Sequence, residues 1–151
     1  MRSVLDASVF FSDLSITGEA YTTPSVVAEL VDLRSKCRYE ALLATGLVVR
    51  EPEEHYRSAV ETAAAECGDA ERLSGTDREI LALALELAAV LVTDDFAVQN
   101  VAHRLKISTR SIHQRSARPI RWRFRCSGCG RFYREAGECP VCGAAIKRKL
   151  K

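Results

Sequence analysis

Four cysteines in two CxxC pairs constrain this chain more than any other feature. Within "CSGCGRFYREAGECPVCG", Cys126 and Cys129 form one pair and Cys139 and Cys142 the other, with nine residues between the pairs. The opening "MRSVLDASVFF" lacks the basic start, long apolar stretch and small-residue cleavage site of a secretory signal. The expected compartment is therefore the cytoplasm, where structural disulfides are rare. The two pairs then read as four thiolates around one tetrahedral metal ion. Gly130 and Gly143 follow directly, where a backbone free of Cβ constraint curls N–H groups toward the sulfurs. The expectation is a zinc ribbon over residues 121–151, with "RFYREAGE" forming a hairpin that turns at Gly137. Iron in a rubredoxin-like site is the rival occupant, but nothing else here points to electron transfer. Four protein ligands leave no open position, so the ion is structural. A module this small needs the ion to fold. Cys37 and Cys67 fall outside the pattern and read as ordinary thiols.

Charge divides the chain in the same way. The net charge is only +2, but residues 1–100 hold 18 acidic and 8 basic side chains, whereas residues 101–151 hold 2 acidic and 14 basic. A net of −10 followed by +12 implies two parts with different partners, the basic one suited to a polyanion. In "IRWRFRC" a strand would point Arg121, Arg123 and Arg125 one way and Trp122 and Phe124 the other. The guanidinium face suits phosphate; the aromatics either stack on bases or build the ribbon's small core. Arg118, Arg131, Lys147, Arg148 and Lys149 extend the candidate RNA-binding set. No apolar run reaches 18 residues, so no membrane partner is expected.

The acidic part alternates short apolar strands with helical patterns. "SVLD", "LVVREP", "AVLVT" and "ISTRSI" read as strands, the last as an edge. "TTPSVVAELVDLR" starts a helix that Thr23 caps and Pro24 opens. "EEHYRSAVETAAAEC", "TDREILALALELA" and "DFAVQNVAHRL" are helical, the second with Thr76 and Glu79 as a capping box. Strand and helix in alternation predict an α/β domain around a central parallel sheet over residues 1–112. "HQRSARP" reads as the linker, residues 113–120.

Parallel sheets of this kind do their chemistry beyond the carboxyl ends of the strands. Asp6 ends the first strand; Asp94 and Asp95 end a later one. Asp77 opens a helix and Glu29 lies early in another. Each has an ordinary explanation: the helix dipole for Asp77, solvation for Glu29, an N-cap for Asp94 or Asp95. As a set they exceed those explanations. Carboxylates gathered in one crevice repel unless a hard divalent cation such as Mg2+ or Mn2+ joins them. His55, His103 and His113 show no acid–base spacing.

The stretches "VLDASVFF", "TTPSVVAEL", "LSGTDREILALALEL" and "LVTDDFAVQNVA" resemble the successive motifs of PIN-domain nucleases. With the linker and the paired CxxC motifs, the chain as a whole is similar to the Nin-one-binding endonuclease family in its compact archaeal form. The resemblance implies a three-layer PIN-like fold and a metal-dependent endoribonuclease that cuts single-stranded RNA by hydrolysis, leaving 3′-OH and 5′-phosphate ends. It implies the 3′ end of small-subunit (16S) ribosomal RNA as substrate, with the pre-30S particle and other assembly factors as partners. It further implies Asp6, Asp77 and Asp95 as Mg2+ or Mn2+ ligands, with Glu29 and Asp94 completing the catalytic set and Ser8 and Thr93 orienting carboxylates or water. Two other readings stay open: a non-catalytic RNA-binding assembly factor, and a toxin-type PIN ribonuclease.

Overall fold

The computed structural model describes residues 1–113 and 123–149. Arg118, Arg121, Trp122 and residues 114–120 of the expected linker lie outside the described residues, as do the side chains of Arg123 and Lys149. The chain divides into two compact units, Met1–Gln114 and Arg115–Lys151. No helix among the described residues is long and apolar enough to cross a membrane.

The first unit is an α/β domain on a five-stranded, wholly parallel sheet in the order β3-β2-β1-β4-β5. The strands are β1 (Arg2–Leu5), β2 (Glu19–Thr22), β3 (Val48–Val49), β4 (Val90–Val92) and β5 (Thr109–Arg110). The helices are α1 (Ala7–Phe10), α2 (Pro24–Glu29), α3 (Leu33–Ala44), α4 (Glu54–Cys67), α5 (Gly75–Leu87) and α6 (Phe96–Arg104). The core forms because the central strands run into it with apolar ends: Val4, Leu5, Leu91 and Val92 are all buried. Helix α5 packs against β1 and α4, and it buries Ile80, Leu81, Ala82, Leu83, Ala84 and Leu87.

Three local expectations change. Strand β2, "EAYT", is absent from the expected strands; it buries only Ala20 and Thr22, too short an alternation to stand out. The helix opened by Thr23 and Pro24 ends at Glu29, and a second begins at Leu33. There the Asp32 carboxylate accepts from the Ser35 amide at 3.0 Å, an N-cap that restarts the helix. The capping box of α5 pairs Ser74 with Asp77, not Thr76 with Glu79: Ser74 N donates to Asp77 Oδ2 at 2.9 Å and Asp77 N to Ser74 Oγ at 3.1 Å. Glu79 instead accepts from Ser25 Oγ and, at 3.1 Å, from Arg57 Nη1.

The second unit is a four-stranded antiparallel sheet in the order β7-β6-β9-β8. Its strands are β6 (Arg123–Cys126), β7 (Phe132–Tyr133), β8 (Gly137–Glu138) and β9 (Ala145–Lys149). The expected hairpin at Gly137 does not form, because β7 and β8 lie on opposite edges. The hairpins turn at the CxxC loops instead, one joining β6 to β7 and the other β8 to β9. Backbone bonds from Cys126 N to Arg131 O (2.8 Å) and from Cys139 N to Ala144 O (2.9 Å) close them.

Candidate active site and metal centre

The register of the central strands builds the crevice. Val4 pairs with Leu91 and Leu5 with Val92, so the next step of each strand sets Asp6 beside Thr93. Asp6 N donates to Val92 O at 3.2 Å, and Asp6 then turns the chain into α1 as its N-cap. The Asp6 residue is only 8% exposed. Its carboxylate accepts from Ala7 N at 2.7 Å, Ser8 Oγ at 3.1 Å and the fully buried Thr93 Oγ1 at 2.8 Å. Neutral donors thus hold a buried carboxylate with no cationic partner named among them, which orients it without cancelling its charge.

Asp95 enters from the neighbouring strand. It caps α6, accepting from Ala97 N at 2.9 Å, and its own amide donates to Thr93 Oγ1 at 3.1 Å. Thr93 therefore ties the two aspartates together. Asp77 arrives from the first turn of α5. Burial pushes its carboxyl above the usual aspartate range, the Ser74 bonds pull it back, and the charges of Asp6 and Asp95 add to the rise. The Asp77 carboxyl thus lies within electrostatic reach of Asp6 and Asp95. Rich in carboxylate oxygen and short of positive charge, this set has the donor chemistry of a hard divalent cation, while among the described residues only the four cysteines stand close enough together to share one ion.

Glu29 and Asp94 are placed differently. Glu29 is exposed at the last residue of α2. The Asp94 carboxylate turns toward the end of the nuclease unit, where it accepts from Ser111 Oγ (2.5 Å), Ile112 N (2.8 Å) and His113 Nδ1 (2.6 Å). Burial raises its pKa, but those hydrogen bonds outweigh burial and hold it at about 2. The sequence held no signal for this arrangement, since Asp94 and His113 are far apart in the chain. Phe96, directly after Asp95, is 70% exposed.

In the second unit, Cys126, Cys129, Cys139 and Cys142 bring their Sγ atoms within 4.8 Å of one another. Cys126 Sγ lies 3.3 Å from Cys142 Sγ, and Cys129 Sγ lies 3.7 Å from Cys139 Sγ. Bonds of about 2.3 Å at tetrahedral angles would set zinc-bound sulfurs about 3.8 Å apart, so the four fit one such ion. Gly130 and Gly143 adopt φ of 76° and 73°, the left-handed conformation that the tight loops require. At Gly128 a Cβ would come within 2.9 Å of Ala144 Cβ and 3.0 Å of Cys142 Sγ. The Tyr133 hydroxyl, 2.9 Å from Cys139 Sγ, donates to that sulfur and holds its thiol down at about 6.

Phe124 and Tyr133 pack against the buried Cys126, Cys139 and Ile146. The other face carries charge: Arg125 sits directly across from Lys147 and from Phe132, all three exposed. Like charges opposite each other in a ladder destabilise it unless a counter-charge intervenes. Arg125 also lies over the Phe132 ring, 5.6 Å from its centroid. The register sets Arg123 opposite Lys149 one step along.

Residues 3–87 match the family model described as a PIN domain of ribonuclease. Over 97% of the chain and 92% of the relative, the sequence is 43% identical to "Endoribonuclease Nob1" of Pyrococcus abyssi. It is 40% identical to the protein of the same name in Methanothermobacter thermautotrophicus, over 99% of the chain and 93% of the relative. Identity to "Ribonuclease VapC1" of Thermoplasma acidophilum is 36%, over 98% of the chain and 78% of the relative. An acidic crevice at the ends of β1 and β4, a four-cysteine unit behind it in sequence, and identity spanning both lead to one conclusion: the chain belongs to the Nob1 family of PIN-domain endoribonucleases.

Proposed function

We propose that this metal-dependent endoribonuclease matures the 3′ end of small-subunit (16S) ribosomal RNA, cutting a single strand within the pre-30S particle in the company of other assembly factors. The observation that carries the reading is that Thr93 ties Asp6 to Asp95 while the charges of both reach Asp77, three carboxylates from distant parts of the chain. Asp6, Asp77 and Asp95 would hold Mg2+ or Mn2+, and the bound ion supplies Lewis-acid stabilisation of the charge that develops on the phosphodiester and on the leaving oxygen. Thr93 and Ser8 fix the Asp6 carboxylate, so the reacting phosphate meets a preorganised site. Glu29, exposed at the last residue of α2, completes the catalytic set that the family pattern implies. The exposed ring of Phe96 stacks an unpaired base next to the cut phosphate.

An acidic crevice repels RNA, so the second unit supplies affinity. Its structural ion is Zn2+, and Arg125 and Lys147 on its exposed face bind phosphate, with Arg118, Arg121, Arg123, Arg131, Arg148 and Lys149 the further candidates that the sequence offers. Two matches named Endoribonuclease Nob1 at 43% and 40% identity favour this reading over a toxin-type ribonuclease. The test is cleavage of an RNA spanning the mature 3′ end of small-subunit rRNA, with Mn2+ or with EDTA. Cutting at one site that needs the ion and disappears in Asp6→Asn is the expected result. Binding without cutting in both proteins would leave an assembly factor.

A further inference from the structure

Three consecutive residues after β4 do three different things. Thr93 orients Asp6, and its backbone N–H donates to Arg110 O at 3.0 Å. Asp95 caps α6, and its charge reaches Asp77. Asp94 between them uses both carboxylate oxygens on the segment 111–113: Oδ1 accepts from Ser111 Oγ and Ile112 N, and Oδ2 pairs with His113 Nδ1. Ser111 Oγ also bonds His113 O at 2.9 Å, so the segment is knotted around this one carboxylate. The side chain of Asp94 is 31% exposed, that of His113 83%.

A metal ligand needs a free carboxylate lone pair aimed at the ion. Asp6 also holds three donors, so what sets Asp94 apart is direction: its donors all lie on segment 111–113, and the acids whose charges act on Asp77 are Asp6 and Asp95, not Asp94. From this geometry we propose that Asp94 is not a metal ligand but a positioning residue, which clamps the end of the nuclease unit onto the loop carrying Thr93 and Asp95. The inference deepens the reading of the crevice given above and rests on it for the catalytic consequence alone. The clamp has two effects. It stiffens the loop, so Thr93 and Asp95 keep their aim at Asp6 and Asp77. It also pins the last described residues before the second unit beside the active-site loop, so that displacing residues 111–113 disturbs the loop. Two adjacent aspartates then share no common site: one faces the crevice and the other faces the clamp.

The experiment uses the full chain and four variants: Asp94→Ala, Asp94→Asn, Ser111→Ala/His113→Ala and Asp6→Asn. Three quantities are measured: Mn2+ binding by titration, exchange of the Ile112 amide, and kcat and KM on an unstructured oligoribonucleotide. The expected result for Asp94→Ala is Mn2+ affinity within about threefold of wild type, loss of Ile112 protection, and a drop in kcat on the order of 10- to 100-fold with KM unchanged. Ser111→Ala/His113→Ala reproduces part of the kcat loss without touching the aspartates. Asp94→Asn, whose Oδ1 still accepts from Ser111 and Ile112, recovers most of it. Loss of Mn2+ affinity in Asp94→Ala to the level of Asp6→Asn, with the serine–histidine variant behaving as wild type, would overturn the proposal. So would wild-type exchange at Ile112 in Asp94→Ala. If the wild-type protein cleaves no RNA, the nuclease reading of the crevice fails, yet Mn2+ binding and Ile112 exchange still decide whether Asp94 is a ligand or a clamp.

Discussion

The two units gather negatively charged ligands in opposite ways. In the cysteine unit the ligands are local: each CxxC loop supplies two sulfurs, and the sheet needs only to bring two loops together. In the nuclease unit the acids come from residues 6, 77 and 95, and only the parallel register of β1 and β4 together with the packing of α5 brings them near. Their cores differ accordingly. The nuclease unit encloses a large apolar cluster that runs from Val4 to Ile112, whereas the cysteine unit buries Cys126, Cys139 and Ile146, two of which are ligands. The lesson is that the ion is part of the core in one unit and a burden placed upon a finished core in the other.

The largest effect expected from that contrast is on removing the ion proposed for the four cysteines. Structural sites of this type contribute roughly 10–16 kcal/mol of apparent binding energy, far more than so small a core can replace. A strong chelator, or Cys139→Ala, should unfold the second unit and leave the helical signal of the first in place; circular dichroism with amide exchange reads both. Coupled loss of the nuclease unit would break the comparison. Next is Asp6→Asn, which should lower kcat by about 10²- to 10³-fold and cost the hydrogen bonds of one lost acceptor oxygen while leaving the nuclease unit folded, since its core does not depend on the ion. Phe96→Ala should then weaken RNA binding by roughly 1–3 kcal/mol as its stacking disappears, while Phe96→Tyr keeps binding; equal KM values for the two variants would remove Phe96 from the substrate path.

Smaller effects sharpen the electrostatic side. Arg125→Ala with Lys147→Ala should raise KM without changing kcat. Each cation removed from a phosphate should also flatten the salt dependence of binding by about 0.7 in slope for a single strand. The smallest effect concerns Asp77. Its pKa is raised in the folded unit, so ionisation opposes folding. Stability without divalent ion should be greatest below the ordinary aspartate value and fall as pH rises through the raised one. At neutral pH, Asp77→Asn should therefore raise Tm without the ion while impairing cleavage. Asp94 runs the other way. Held at about 2, it contributes stability that is present above the unfolded value and lost as pH falls toward 2. A Tm that ignores Asp77→Asn at every pH would show that the three acids do not share one field.

Sequence alone determined the cysteine ligands, the α/β alternation, and the candidate acids Asp6, Asp77 and Asp95, because CxxC spacing, strand-end position and helix capping are local properties. It was blind to β2, whose four residues bury only two side chains, and it pointed to a hairpin at Gly137 when the hairpins of the second unit turn at the metal loops. It also set α5's capping box two residues late, since Thr76 and Glu79 match the same spacing rule as Ser74 and Asp77. The family pattern favours Asp95 as the ligand but gives Asp94 no partner, and only tertiary structure supplied one. Ser111, Ile112 and His113, 17 to 19 residues further on, meet Asp94 only after β5 has paired beside β4. Long-range pairing assigns a carboxylate its partner, which no local pattern can carry.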